Sequence, residues 1–118
     1  MSKHDVAKSL KKVLADSYAL YLKTQNYHWN VTGPNFQSLH LLFETQYNEL
    51  ALANDTIAEL IRGLGEKAPA SFEEFQKLTT IKSGNVNATA EKMVKELSAD
   101  QAAMQKGLQK ALEVAQKA

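Results

Sequence analysis

Apolar residues recur every three or four positions along three long segments of this 118-residue chain. That spacing places them on one side of an α-helix, so we predict long helices over residues 4–29, 35–63 and 87–116. Gly and Pro together account for only 7 residues, roughly half of their usual share, which favours a fold with few turns. No stretch alternates apolar and polar residues for long enough to form a strand. The predicted fold class is all-α.

Turn residues separate the predicted helices. Gly33-Pro34 ends the first segment, and Gly63-Leu64-Gly65 supplies a C-terminal glycine signal for the second. Ser71 and Glu74 have the spacing of a capping box, which predicts a short helix from there through Leu78 inside the long connection. We therefore expect a single domain over residues 1–118, built as a helical bundle with three long helices and one short one.

Composition excludes several kinds of protein. The absence of cysteine rules out disulfides, cysteine-ligated zinc and iron-sulfur clusters. The longest apolar run, Tyr18 to Leu22, is far shorter than the roughly 20 residues that cross a bilayer, and the N-terminus lacks a signal-peptide core, so we expect a cytoplasmic protein without a membrane partner. A net charge of +1 predicts no general attraction to nucleic acid. Weak DNA binding has support only from a small basic cluster at Lys3, Lys8, Lys11 and Lys12.

The second predicted helix carries four polar residues on one side. At about 100° per residue, His40, Glu44, Asp55 and Glu59 lie at roughly 0°, 40°, 60° and 100°. His40 and Glu44 are one helical turn apart, and so are Asp55 and Glu59, so the two side chains of each pair could reach one metal ion. The pairs are separated by about 16 Å along the axis, too far to share an ion within one chain. Two copies of residues 35–63 crossing antiparallel about a twofold axis would instead join the pairs into two composite sites.

Other interpretations of these residues stay open. Carboxylates one turn apart are usually a solvated helix face, and a single histidine is more often a surface or core residue than a ligand. Leu41 and Leu52 lie on the same arc, and a solvated helix face would not need such apolar residues. Trp29 is expected to anchor the core rather than to take part in redox chemistry, and His4 to be solvated. A DNA-associating architectural protein and a metal-free interaction module are the alternative functions.

One segment and its flanks resemble a known family. The segment is Tyr27-His-Trp-Asn-Val-Thr-Gly-Pro-Asn-Phe-Gln-Ser-Leu-His40, followed by Phe43-Glu44, Asp55-Thr-Ile-Ala-Glu59 and Arg62-Gly-Leu-Gly65. With its spacing H-x11-H-x3-E-x10-D-x3-E, the chain is similar over nearly its whole length to the Dps proteins, which are ferritin-like and protect DNA in starved cells.

The resemblance implies a ferroxidase centre at a twofold interface. One subunit would supply His28, His40 and Glu44, and its neighbour Asp55 and Glu59. In the family, ferrous iron bound there is oxidised, preferentially by hydrogen peroxide, and ferric mineral collects inside a dodecameric shell. The resemblance also implies that Trp29 intercepts stray radicals. Position 44 is Glu where many members have Asp, which keeps the charge and lengthens the reach.

The resemblance further implies a difference at the end of the chain. Ala118 falls where the family continues into a fourth long helix that closes the bundle, so we expect a chain that is C-terminally truncated relative to the family and lacks that helix. An apolar groove should then be exposed where the helix would lie. The lysine-rich tail that some members place before the first helix is nearly absent as well.

Overall fold

The computed structural model describes the backbone of residues 2–117 and the side chains of residues 2–115. Its helices are α1 (Lys3–Asn30), α2 (Phe36–Gly63), α3 (Phe72–Leu78) and α4 (Ala90–Lys117). Within the described residues there is no strand and no helix long and apolar enough to span a membrane. The predicted all-α fold, with three long helices and one short helix in the connection, is confirmed.

The helix ends follow from local chemistry. Ser2 caps α1, because its hydroxyl accepts from the Asp5 N–H at 3.2 Å while the Asp5 carboxylate accepts from the Ser2 N–H at 3.1 Å. Gly33 (φ +106°) and Gly65 (φ +88°) have left-handed backbone, which glycine adopts without a Cβ clash. They make the turn after α1 and the exit from α2. As predicted, Ser71 caps α3 by accepting from the Glu74 N–H.

Helix α1 is the centre of the fold, since α2, α3 and α4 all contact it. It runs antiparallel to α2: Ser17 donates to Asn54 near the middle of the pair, and His28 lies beside His40 at the end. Two apolar clusters fill the interior. The first contains Val6, Leu10, Val13, Leu14, Ile57, Ile61 and Ala111, and the second contains Leu20, Tyr27, Val31, Phe43, Leu50, Met93 and Leu97.

A buried carboxylate fixes the connection after α3 to α1. Asp16 accepts at 2.7 Å from the Thr79 hydroxyl and at 2.7 Å from the Thr80 N–H, and it pairs with Lys12 at 3.0 Å. Burial raises the pKa of the Asp16 carboxyl, but the hydrogen bonds from Thr79 and Thr80 and the Lys12 charge outweigh it and leave the pKa below its usual value.

A second polar cluster attaches α4 to the last turns of α1. The buried Lys23 ammonium lies 2.7 Å from Asp100 and 3.4 Å from Glu96, and the Tyr27 hydroxyl donates to Glu96 at 2.5 Å. Burial and the neighbouring Glu96 raise the pKa of Tyr27 to about 12, so the phenol keeps its proton and remains a donor. At Gly84 a Cβ would lie 3.0 Å from the Tyr27 ring, a tight contact, so the loop approaches α1 closely at this glycine.

A shallow groove lies between α2 and α4. Leu42 on α2 and Val94 and Leu97 on α4 line it. Val94 and Leu112 are both exposed, and they share one side of α4 because they are 18 residues, about five turns, apart.

The buried Asp16 carboxylate accepts hydrogen bonds from Thr79 and Thr80. We therefore expect Asp16→Ala to destabilise the fold by about 2 kcal/mol, the order of the cost of leaving buried polar partners without a hydrogen bond. Urea unfolding measures this. As a matched control, Glu113→Gln on the exposed side of α4 should change stability by less than about 0.5 kcal/mol.

The lowered Asp16 pKa also predicts a pH dependence. A carboxylate with a lowered folded pKa stabilises the fold above its unfolded pKa, and this contribution disappears as the pH falls through the folded value. The stability difference between the parent chain and Asp16→Asn should therefore shrink below the ordinary value of 3.8. A difference that stays constant on acidification would contradict this account.

Candidate metal centre

The antiparallel pairing of α1 and α2 brings three of the predicted ligands together. One ligand atom each from His28, His40 and Glu44 lie within 4.8 Å of one another. His28 is buried, whereas His40 and Glu44 are partly exposed. The cluster thus opens at the molecular surface, where a metal ion can enter.

Two reciprocal hydrogen bonds orient the imidazoles. Nδ1 of His28 lies 2.6 Å from the carbonyl oxygen of His40, and Nδ1 of His40 lies 2.8 Å from the carbonyl oxygen of His28. A carbonyl oxygen only accepts, so each Nδ1 must carry the proton. In the neutral ring the lone pair is then on Nε2, which is the tautomer that a metal ligand needs.

The spacing of the ligand atoms fits an ion between them. Nε2 of His28 lies 3.9 Å from a carboxylate oxygen of Glu44, beyond hydrogen-bond length. Two ligand atoms that each bind one ion at about 2.1 Å are separated by at most about 4.2 Å. The two atoms are therefore close enough to bind the same ion.

Aromatic neighbours hold both rings in place. The imidazoles stack with centroids 3.7 Å apart, Phe36 stacks on His40 at 5.0 Å, and the edge of Tyr47 meets His28 at 5.2 Å. The sequence alone did not identify Phe36 and Tyr47 as neighbours of the predicted ligands. The spacing of four residues between Phe36 and His40 was the available signal of their contact.

The structure does not bring the other two predicted ligands to this cluster within the chain. Asp55 and Glu59 are exposed and lie further along α2, about 16 Å and about 22 Å from Glu44 by helix rise. Asp55 borders a cavity between α1, α2 and the segment around α3. The single chain therefore presents two separate halves of the predicted site.

The same side of α2 exposes large apolar side chains. Leu41 and Leu52 are both more than half exposed, and Leu52 reaches 72%. Leu41 and Leu52 lie within about 20° of Glu59 around the helix axis. An apolar surface that surrounds carboxylates is typical of a protein interface.

Trp29 does not anchor the core as predicted, because its side chain is 62% exposed. It follows Leu20 by nine residues, which is about 180° around the helix, and Leu20 is fully buried. His4 is exposed as predicted, and it also contacts Glu66 at 3.0 Å.

The basic cluster of α1 is partly neutralised inside the chain. Lys11 pairs with Glu66 at 2.7 Å, and Lys12 pairs with Asp16 at 3.0 Å. These pairs weaken the positive field that a DNA phosphate backbone would require.

Comparison with known proteins gives consistent matches. The ferritin-like domain family matches residues 7–118. DNA protection during starvation protein 2 of Bacillus anthracis is 39% identical over 111 residues, which cover 94% of this chain and 76% of that protein. A low temperature-induced protein of Nostoc is 49% identical over 73 residues, 62% of this chain but only 41% of that protein.

Among solved structures, a Dps protein from Vibrio cholerae superposes with a TM-score of 0.94 at 29% identity. The match covers 98% of this chain and 72% of that one. That protein is described as a member of a broad superfamily of ferritin-like diiron-carboxylate proteins.

The hydrogen bonds in the cluster make a prediction for the metal-free protein. Long-range proton-nitrogen NMR at mildly alkaline pH should show His28 and His40 with the proton on Nδ1, because each Nδ1 faces a carbonyl oxygen. His4, whose Nδ1 faces a carboxylate at an exposed position, serves as the internal reference. A proton on Nε2 of either clustered histidine would show that the reciprocal bonds do not form.

Proposed function

The chain belongs to the Dps family of ferritin-like proteins, and on this premise we propose that it oxidises ferrous iron at a site shared between two subunits. The observation that carries the proposal is the cluster of His28, His40 and Glu44 with both Nε2 atoms in the ligand tautomer. Such a nitrogen and carboxylate mixture suits iron or manganese better than calcium.

Symmetry completes the site. In the proposed dimer, two α2 helices cross antiparallel about a twofold axis, so that Asp55 and Glu59 of one subunit face the histidine cluster of the other. The exposed leucines beside these carboxylates support burial of this side of α2. An isologous contact of this kind produces two equivalent composite sites.

The ligands have distinct roles in the proposed reaction. The imidazoles, held by their carbonyl partners, fix where ferrous iron binds. Glu44 and the carboxylates of Asp55 and Glu59 stabilise the more highly charged ferric product. With hydrogen peroxide as oxidant, two ferrous ions give one electron each, the O–O bond breaks, and two protons complete two water molecules.

Removal of both reagents protects DNA chemically. Ferrous iron and peroxide together generate hydroxyl radicals, and the proposed reaction consumes both without that product. Storage of the ferric product in a dodecameric shell belongs to the same proposal. The chain matches 76% and 41% of the lengths of the two relatives named above.

The other two functions have less support. Direct DNA binding would rest on α1 lysines, of which Lys11 and Lys12 are already paired with acidic residues. A metal-free interaction module would give no reason for two histidines whose Nδ1 atoms are both engaged by carbonyls. Iron binding accounts for the arrangement of these two histidines.

A subunit-mixing experiment tests whether the site is shared. One variant carries His40→Ala and Glu44→Ala, and the other carries Asp55→Ala and Glu59→Ala; each alone should lack peroxide-dependent iron oxidation. In an equal mixture, about half of the dimers are mixed and each contains one intact site of two, so about a quarter of the parent activity should return.

The parent chain taken through the same mixing procedure is the control for losses in handling. Circular dichroism of each variant confirms that the helices remain. Persistent oxidation by the Asp55→Ala, Glu59→Ala variant alone would show that the histidine cluster acts without the partner, and no recovery on mixing would show that the two halves do not combine.

The interface itself can be tested with one substitution. Leu52→Glu places a charge in the apolar surface that the dimer would bury, so the sedimentation mass should fall to that of a monomer and iron oxidation should fall at least tenfold. Val86→Glu is the matched control, because Val86 is also more than half exposed but lies outside α2. A Leu52→Glu chain that still dimerises would place the interface elsewhere.

A further inference from the structure

Three of the four tyrosines of the chain form a row that leads away from the metal-binding cluster. The edge of the Tyr47 ring meets the His28 ring, with centroids 5.2 Å apart. The Tyr47 and Tyr21 centroids are 6.0 Å apart, and those of Tyr21 and Tyr18 are 5.5 Å apart. These distances lie within the range of roughly 4.5–7 Å for aromatic rings in contact. A continuous row of oxidisable rings therefore begins at a proposed iron ligand.

The pairing of α1 and α2 that forms the cluster also builds this row. Tyr21 precedes His28 by seven residues, so the two side chains lie within about 20° of each other around α1. Tyr47 follows His40 by the same interval on α2. Because the helices run antiparallel, Tyr21 meets Tyr47 about two turns from the point where the histidines meet. Tyr18 is nearly one turn further along α1, about 15 Å from His28 by helix rise.

The phenols of the row are placed so that they can lose a proton together with an electron. Tyr18, Tyr21 and Tyr47 are all partly exposed, so water can take the proton that a phenol releases on oxidation. The Tyr21 hydroxyl accepts a hydrogen bond from Gln25 at 3.1 Å, which leaves its own hydrogen available for another acceptor. Tyr27, the fourth tyrosine, is fully buried and belongs to the separate polar cluster with α4.

We propose that Tyr47, Tyr21 and Tyr18 act as an electron relay when the shared site holds only one ferrous ion. The inference rests on the proposed function, which supplies the iron and the hydrogen peroxide. Reduction of peroxide to two water molecules takes two electrons, and one ferrous ion gives only one. Tyr47 gives the second electron. One ferrous ion, one phenol, one peroxide molecule and one further proton thus yield one ferric ion, one tyrosyl radical and two water molecules.

The relay moves the radical away from the iron. Tyr21 gives an electron and its phenol proton as the Tyr47 radical returns to a phenol, and Tyr18 then does the same for Tyr21. Each transfer is nearly thermoneutral, because the groups are all phenols. Tyr18 lines two cavities between α1 and the segment around α3, where a small one-electron donor such as ascorbate can reach the ring and restore the phenol.

Without a donor, the relay leaves a stable product. Two successive events place radicals on Tyr18 and Tyr21, and these radicals couple through one new carbon–carbon bond between the rings. The two ring hydrogens that this bond displaces return the phenol hydrogens, so the product is dityrosine. Since the two rings already lie in contact, dityrosine within one chain records the passage of electrons along the row.

The ratio of iron to sites tests the relay. The parent dimer receives one ferrous ion per shared site without oxygen, and then peroxide. Rapid freezing and electron paramagnetic resonance should show a tyrosyl radical, and peptide mass spectrometry should find Tyr18 joined to Tyr21. With two ferrous ions per site, both products should fall by at least about fivefold, because iron then supplies both electrons. Added ascorbate should suppress the dityrosine.

Tyr47→Phe removes the first electron donor but keeps a ring against His28. Tyr18 and Tyr21 are both still present, yet the dityrosine between them should fall by at least about tenfold. Trp29→Phe is the matched control, because Trp29 adjoins His28 in sequence but lies outside the row, and it should form as much dityrosine as the parent. Iron oxidation with two ferrous ions per site shows whether the site is formed in each variant.

A second variant interrupts the row away from the ligands. In Tyr21→Phe, a tyrosyl radical should still form at Tyr47, but Tyr18 should stay unmodified, because the phenylalanine ring between them is much harder to oxidise. This variant tests the relay even where Tyr47→Phe disturbs the position of His28. Oxidation of Tyr18 at the parent level in Tyr21→Phe would contradict transfer along the row.

The remaining outcomes separate the two proposals. Dityrosine that persists in Tyr47→Phe or disappears in Trp29→Phe shows that the electron enters elsewhere, and it overturns the relay. Hydroxylation of Phe72, which is 75% exposed, as the main product with one ferrous ion would show released radicals and would also overturn it. Both results leave the shared site intact where two ferrous ions per site are still oxidised. A chain without activity in the subunit-mixing experiment overturns the shared site, and the relay with it.

Discussion

The reciprocal hydrogen bonds between His28 and His40 are the interaction on which the proposed chemistry depends. Each Nδ1 donates to the other residue's backbone carbonyl, so ring orientation is tied to the backbones of α1 and α2 themselves. The final carbonyls of a helix have no partner within the helix, and His28 near the end of α1 supplies such a carbonyl. The hydrogen bonds that give this carbonyl a partner therefore also fix the proton on Nδ1 of both rings, and they leave each Nε2 free to bind a metal ion.

The hydrogen bonds between His28 and His40 form only if α1 and α2 keep their relative position along the helix axes, and polar contacts help to fix that position. Ser17 and Asn54 meet midway along the pair, while Tyr27 and Lys23 fix the last turns of α1 against α4. A shift of α1 by one turn, about 5.4 Å, would separate the imidazoles. The buried polar groups thus specify the position of the cluster as well as adding to stability.

Helix extents were predictable from the sequence because apolar periodicity and glycine signals are local; the fourth helix of the structure begins three residues later than predicted. The spacing of His40 and Glu44 likewise identified half of the cluster. The carbonyl partners could not be predicted, since every residue has a carbonyl. Asp16 with Thr79 and Tyr27 with Glu96 were also missed, because these contacts join residues 63 and 69 positions apart. The prediction that Trp29 lies in the core was wrong because it followed from the residue type and ignored the position of Trp29 on the helix, about 180° from the buried Leu20.

Charge links the proposed partner to the proposed substrate. Without iron, the dimer would bring Glu44 close to Asp55 and Glu59 of the partner subunit, and three carboxylates in a partly desolvated interface repel one another. A bound cation removes that repulsion and supplies the attraction that desolvation makes stronger. Since coupling between two binding events is reciprocal, iron would strengthen the dimer by the same factor by which dimerisation strengthens iron binding. In the proposed dimer, the exposed leucines of α2 would allow the contact to form before the ion arrives.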